Sequence, residues 1–227
     1  MMNFEKEIGY TFQSQDYLNQ AFTHSSYAHE NRIDYLHNNE RLEFLGDAVL
    51  ELTISDYIFK KYPEMPEGEL TKLRASVVCE PMLAKIARRI NLGAYLKLGK
   101  GEAATGGRER DSILADAFEA IIGAIYLDGG LATAREFVLG MMLNEIGSMR
   151  NNFRMNDCKT YLQEIVQRSS KNPLEYAIVS EKGPDHNKAF FANVMHEGRV
   201  LGKGVGKSKK EAEQNAALDA INALNIK

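Results

Sequence analysis

Residues 112–127, SILADAFEAIIGAIYL, contain only two charged side chains, and both are acids three positions apart, Asp116 and Glu119. A helix this apolar belongs at the centre of its domain, which would shield both carboxylates from water. A second segment, NNERLEFLGDAVLEL (38–52), spaces Glu40, Glu43 and Asp47 by three and then four residues, on one helical face. Apolar residues surround them: Leu42, Phe44, Leu45, Ala48, Val49 and Leu50. Two like charges about 4 Å apart repel by roughly 4 kcal/mol at an effective dielectric near 20. Protonation, a basic partner or a bound cation would relieve that repulsion. Arg41 is the one basic candidate on either carboxylate face. An all-oxygen donor set favours a hard ion such as Mg²⁺ over zinc. The plainer alternative is a pair of amphipathic helices with ordinary polar stripes, which two isolated acidic sets make the weaker reading.

The remaining patterning divides the 227 residues in two. Residues 1–148 are helical in periodicity, with apolar recurrences through 17–27, 41–60, 69–90, 112–127 and 131–147. Residues 149–156 lie in the polar stretch GSMRNNFRMND and read as a linker. From 157 to 227 the order changes to α-β-β-β-α: a helix at 158–168, strands at 176–180, 189–195 and 199–204, then a helix from 209 to 224. Ser208 is placed to cap that last helix, with Glu211 completing a capping box. The expected fold is therefore an all-α helical domain followed by a small α+β domain. Charge follows the same division. Residues 1–156 carry 17 Lys+Arg against 22 Asp+Glu, a net of −5, and residues 157–227 carry 11 against 9, a net of +2. The two cysteines, Cys79 and Cys158, exclude a disulfide scaffold and any CxxC metal site and fit a reducing compartment. The first ten residues lack a signal-peptide pattern, and no uninterrupted apolar run approaches the ~20 residues that span a bilayer. A cytoplasmic location without membrane partners is expected.

The segments NERLEFLGDAVLE (39–51), AFTHSSYAHE (21–30), EGELTKLRASVV (67–78) and GGRERDSILADAFEAIIGAIYLDGG (106–130) together resemble bacterial ribonuclease III. The C-terminal α-β-β-β-α stretch resembles the double-stranded-RNA-binding domain that completes that enzyme, so the likeness covers nearly the whole chain in order. The resemblance implies a homodimeric, Mg²⁺-dependent endoribonuclease, with Mn²⁺ able to substitute. It would cut double-stranded RNA to 5′-phosphate and 3′-hydroxyl ends with short 3′ overhangs, on ribosomal RNA precursors and other structured transcripts. By the same resemblance, Glu43, Asp47, Asp116 and Glu119 are metal-site carboxylates, with Asp47 and Glu119 catalytic. Glu40 and Glu67 would support the cleft and dimer contact, and Phe44 would pack across the dimer interface. Gln163 and Glu164 of the first helix of the RNA-binding domain, and the loop with Pro184 and His186, would touch successive minor grooves.

Lys207, Lys209 and Lys210 cluster at the start of the last helix, where free N–H groups and the dipole favour phosphates. That suits recognition of duplex shape. Two glycine-rich stretches imitate nucleotide motifs. LGKGVGKS (201–208) lacks the opening glycine of a P-loop, and GKGEAA (99–104) would set Glu102 against a pyrophosphate. Both read as loops, and no nucleotide cofactor is expected. His24, in THSS, reads as a helix-start or packing residue and not as a base. Two rivals stand beside the nuclease reading. One is a non-catalytic binder of double-stranded RNA, which would gain nothing from clustered buried acids. The other is a metal-dependent nuclease for DNA or hybrids, which the C-terminal domain disfavours.

Overall fold

Among the described residues, eight α-helices build the first part of the chain: α1 (Met2–Ile8), α2 (Gln15–Ala21), α3 (Ser25–Glu30), α4 (Glu40–Lys61), α5 (Glu67–Val77), α6 (Glu80–Arg89), α7 (Lys100–Ala104) and α8 (Asp111–Asn156). The structure, a computed structural model, describes residues 2–156, 158–167, 170–184 and 188–224. It divides into two compact units, 1–149 and 150–227.

α8 supplies the core of the first unit. Ile113, Leu114, Ala117, Phe118, Ile121, Ile122 and Ile125 are all buried. By length and composition the helix could cross a membrane, yet these side chains are already packed inside the domain. Its ladder is interrupted at Gly130, whose φ of 81° and ψ of 174° lie outside helical space, so the two expected helices 112–127 and 131–147 meet there at a kink. Asp128 secures the kink. Its carboxylate accepts from the Tyr10 hydroxyl at 2.7 Å and from the backbone N–H groups of Gln13 at 2.8 Å and Ser14 at 2.9 Å. Arg135 beyond the kink pairs with Asp56 of α4.

Local chemistry explains where the helices differ from their periodicity. The expected helix over 17–27 is two helices, because Thr23 leaves the helix to form a single parallel β-bridge with Lys97. His24 then caps α3, its side chain accepting from the Ser26 N–H. The expected helix over 69–90 breaks at Val78 and Cys79 because Pro81, which cannot sit in a helix interior, occupies the first turn of α6. GKGEAA is not a loop: Gly99 caps the short α7, and the Lys100 N–H donates to Glu30 at 2.9 Å. Residues 149–156 have helical backbone as far as Asn156, with the division between the two units at 149/150. The polar stretch 148–156 contains neither Gly nor Pro, so its composition does not stop a helix.

The second unit runs α9 (Cys158–Gln167), β1 (Glu175–Lys182), β2 (Ala189–His196), β3 (Arg199–Gly206) and α10 (Lys209–Ala223). The strands form an antiparallel sheet in the order β1-β2-β3. The β2–β3 hairpin closes on the pair His196 and Arg199. Its two turn residues, Glu197 at φ 52° and Gly198 at φ 75°, have the positive φ values of a type I′ turn. Both helices pack on the sheet through Cys158, Leu162, Val166, Ala192, Val194, Ala212, Ala216, Ala217 and Ala220.

The P-loop lookalike is largely strand. Gly202, Gly204 and Gly206 alternate along β3 on the face toward α10. A Cβ on Gly204 would lie 2.2 Å from both the Ala212 carbonyl oxygen and the Ala216 nitrogen. Glycine on the strand and alanine on the helix therefore let the two backbones approach closely. Ser208 caps α10, accepting from the Glu211 N–H at 3.2 Å. The reciprocal bond shifts by one residue from a strict capping box: Glu211 accepts from the N–H of Lys207 at 2.7 Å.

Gly204→Ala should destabilise the second unit by about 1–3 kcal/mol, the cost of overpacking, because helix backbone and not a flexible side chain must yield. Denaturant unfolding would check this, and an unchanged midpoint would refute it.

Candidate functional site

Two helices bring the acids together. Glu43 stands near the N-terminus of α4, and Asp116 and Glu119 stand on the first half of α8. Oxygens of these three half-buried carboxylates lie within 4.8 Å of one another. The approach depends on two glycines. A Cβ on Gly46 would lie 1.8 Å from the Glu119 carbonyl oxygen, and a Cβ on Gly123 would lie 2.2 Å from the Leu42 carbonyl oxygen. The backbones of α4 and α8 are thus in contact where they cross. Gly46 lies between Glu43 and Asp47, and Gly123 lies one turn beyond Glu119.

The electrostatics follow from this crowding. Burial, then Asp116, Glu40 and Asp47, push Glu43 up to about 7. Burial, then Asp47, Glu43, Asp116 and Glu51, push Glu119 up to about 8. Asp116 is raised by burial and by Glu80, with His24 opposing. Among the described residues no ion pair joins Arg41 to these acids. Of the three remedies, protonation and a cation therefore remain. Three converging oxygen donors suit a hard divalent ion, which would replace protons on Glu43 and Glu119.

The remaining expected site residues fall around this core. Asp47 is exposed and outside the group of three, but its charge acts on both Glu43 and Glu119. Glu40 is exposed at the first position of α4 and acts on Glu43. Phe44 is 80% exposed. Glu67 does not join the cluster within one chain. It accepts from the Thr71 hydroxyl at 3.0 Å and lines a hollow with Ser55, Ile58, Phe59, Leu70 and Arg74. At 1.5 Å per residue, that part of α4 begins about 18 Å beyond Glu43. Sequence reasoning overlooked two acids. Glu51, one turn beyond Asp47 on the same face, pairs with Arg74 at 3.3 Å. Glu80 opens α6. The spacing from Asp47 to Glu51 was visible in the sequence, whereas nothing local signalled Glu80.

His24 has a more specific place than a helix start alone. Its Nδ1 accepts from the Ser26 N–H at 3.2 Å and lies 2.7 Å from the Ser26 hydroxyl, which in turn accepts from the Gly99 N–H at 2.9 Å. The Ser26 hydroxyl is thus held between the His24 ring and the backbone of Gly99.

In the second unit, Lys207, Lys209 and Lys210 are exposed at the start of α10, and Pro184 is exposed after β1. Gln163 and Glu164 are half-buried on α9. His186 lies outside the described residues.

The Ribonuclease-III-like family model matches residues 14–146, and the double-stranded RNA binding motif matches residues 158–224. The chain belongs to the ribonuclease III family. Ribonuclease 3 of Desulforamulus reducens is 56% identical over 217 residues, covering 96% of this chain and 88% of the relative. Ribonuclease 3 of Geobacillus thermodenitrificans is 55% identical over 220 residues, covering 97% and 89%. The crystal structure of the nuclease domain of the Campylobacter jejuni enzyme is 43% identical, with a TM-score of 0.59. It covers 64% of this chain and 95% of that one. The chain is accordingly a double-stranded-RNA endonuclease: a helical nuclease domain followed by an RNA-binding domain.

Two predictions follow from the crossing. Gly46→Ala should separate α4 from α8 and abolish cleavage, and wild-type turnover in that variant would contradict the geometry. The second concerns pH. Glu43 and Glu119 have folded pKa values above the unfolded value near 4.5, so the folded state holds extra protons between about 4.5 and 8. Their stabilising contribution is full below pH 4.5 and is lost as pH rises through 7 to 8. In chelator, the Glu119→Gln chain should therefore gain thermal stability over wild type as pH rises from 5 to 8. A stability difference that does not change with pH would refute the shift.

Proposed function

We propose that this endonuclease hydrolyses duplex RNA as a homodimer with Mg²⁺, or Mn²⁺ in its place, held by Glu43, Asp116 and Glu119, with Asp47 beside them. The observation that carries the reading is the convergence of three half-buried carboxylates from two helices whose backbones touch. When bound, the ion lowers the pKa of an attacking water and neutralises charge on the scissile phosphate. The chain's own residues set the geometry. Glu43 and Glu119, crowded and partly desolvated, are poised to exchange protons for a cation near neutral pH. Asp47, exposed beside them, would accept a hydrogen bond from the attacking water. Packing at Gly46 and Gly123 fixes the donors before substrate arrives, which suits electrostatic preorganisation. The products would carry 5′-phosphate and 3′-hydroxyl ends.

The surface of α4 supports dimerisation. Phe44, Leu52 and Phe59, exposed at 80%, 57% and 70%, form one stripe along the helix with Ala48 and Ser55. Contiguous apolar surface of this kind marks an interaction face. The acids at 40, 43, 47 and 51 lie on the adjoining face of the helix, so pairing through the stripe sets each carboxylate site beside the interface. A two-fold axis then presents two sites to two antiparallel strands, and an offset between the cuts gives short 3′ overhangs. Glu67 on the Ser55–Phe59 side would reach a site only across such an interface. In the second unit, Lys207, Lys209 and Lys210 would take phosphates. The α9 positions Gln163 and Glu164 and the loop with Pro184 and His186 would take minor-groove contacts. Ribosomal RNA precursors and other structured transcripts in the cytoplasm are the substrates this reading implies.

Glu119→Gln removes a donor charge and no phosphate contact. It should lower cleavage of a long RNA duplex by about a hundredfold or more, the scale for losing one preorganised electrostatic group, with RNA binding unchanged. Gel assays in Mg²⁺ and in chelator would test this, with DNA duplex and single strands as controls. Full activity in the variant would defeat the metal assignment, and cutting of the DNA duplex would favour the DNA-nuclease rival.

A further inference from the structure

Among the lysines of the RNA-binding domain lies an acid whose position simple charge matching does not explain. Glu181, one residue from the end of β1, pairs with Lys188 at 3.2 Å through one carboxylate oxygen and with Lys209 at 3.6 Å through the other. Lys188 immediately precedes β2, and Lys209 is the first residue of α10. Glu181 is also the cross-strand partner of Phe190, and the Lys209 ammonium stands 6.0 Å from the centre of the Phe190 ring. Lys209 therefore rests over a carboxylate and an aromatic ring on neighbouring strands. The hydrogen bond from Lys188, followed by the charges of both lysines, holds the Glu181 carboxyl below the usual carboxylate range.

Exposed ion pairs contribute little to folding stability, and an anion on a surface that meets a polyanion opposes binding. We propose that Glu181 is a positioning residue for duplex RNA, joining Lys188 before β2 and Lys209 at the start of α10 into one cationic group. Lys209 has three N–H donors and is held to Glu181 as an ion pair, so it can still donate to phosphate oxygens. Without the carboxylate, the two ammonium groups repel, and the Lys209 side chain must be ordered anew on binding. Carboxylate and ring together restrain Lys209 before RNA arrives. The inference rests on the reading that Lys209 faces RNA.

The test is binding of a short perfect RNA duplex to the full chain in chelator, so that no cleavage occurs, followed by fluorescence anisotropy. Glu181→Gln should weaken binding by about three- to tenfold, the change expected from ordering one long side chain on association. Charge alone predicts the opposite sign. In a Lys188→Met/Lys209→Met background the same substitution should have no further effect, because the partners through which it acts are gone. Equal or tighter binding by Glu181→Gln overturns the proposal. So does a loss that persists undiminished in the double-lysine background, since that marks a general structural effect. If the double-lysine variant itself binds like wild type, the RNA-facing reading of Lys209 fails first, and the proposal with it.

Discussion

Contact between the backbones of α4 and α8 is the constraint on which the nuclease domain depends. Helix axes ordinarily pack about 8–10 Å apart because side chains fill the space between them. Gly46 and Gly123 remove those side chains where the two helices cross, and each lies against the partner helix's carbonyl groups. Glu43 and Asp47 on one helix, and Asp116 and Glu119 on the other, flank this contact. Interhelical distance sets the carboxylate spacing, so the site's geometry is a property of the core and not of mobile loops. The kink at Gly130 and its anchor on Asp128 belong to the same design, since they let one long apolar helix traverse the domain and change direction beyond the site.

Such packing conflicts with the electrostatics it creates. Hydrophobic burial of α8 forces Glu119 and Asp116 into partial desolvation, and the close crossing adds Glu43 and the field of Asp47. With no lysine or arginine among the described residues paired to the cluster, Glu43 and Glu119 retain protons into the neutral range. A divalent cation offers a stronger solution than protonation because one ion meets several donors at once. A cation would displace those protons, which couples metal affinity to pH.

Much of this was legible in sequence because helical spacing reports which side chains share a face. The acids at 43 and 47, and those at 116 and 119, needed only that rule, and the apolar context of 112–127 indicated their burial. Strand positions in the second domain and the Ser208 cap followed from alternation and local hydrogen bonding. Contacts between distant segments were not legible. No local pattern showed that Gly46 meets Gly123, that Glu80 acts on Asp116, or that Asp47 lies outside the tight group of three. The stretch 201–208 was read as a loop for a related reason: its glycines fit a strand because an alanine-faced helix approaches it closely, which no local pattern shows. Helix ends depended on single residues, Pro81 and Thr23, whose effects override the periodicity around them.

The division of charge between the two domains completes the physical argument. Residues 1–156, of net −5 and with clustered acids, repel a polyanion, and a bound cation would correct that only at the site itself. The double-stranded RNA binding motif lies in the second domain, whose small positive surplus includes Lys207, Lys209 and Lys210, exposed at the start of α10. The acid that chemistry requires and the base that binding requires are kept on separate folds. Each can be tuned without neutralising the other.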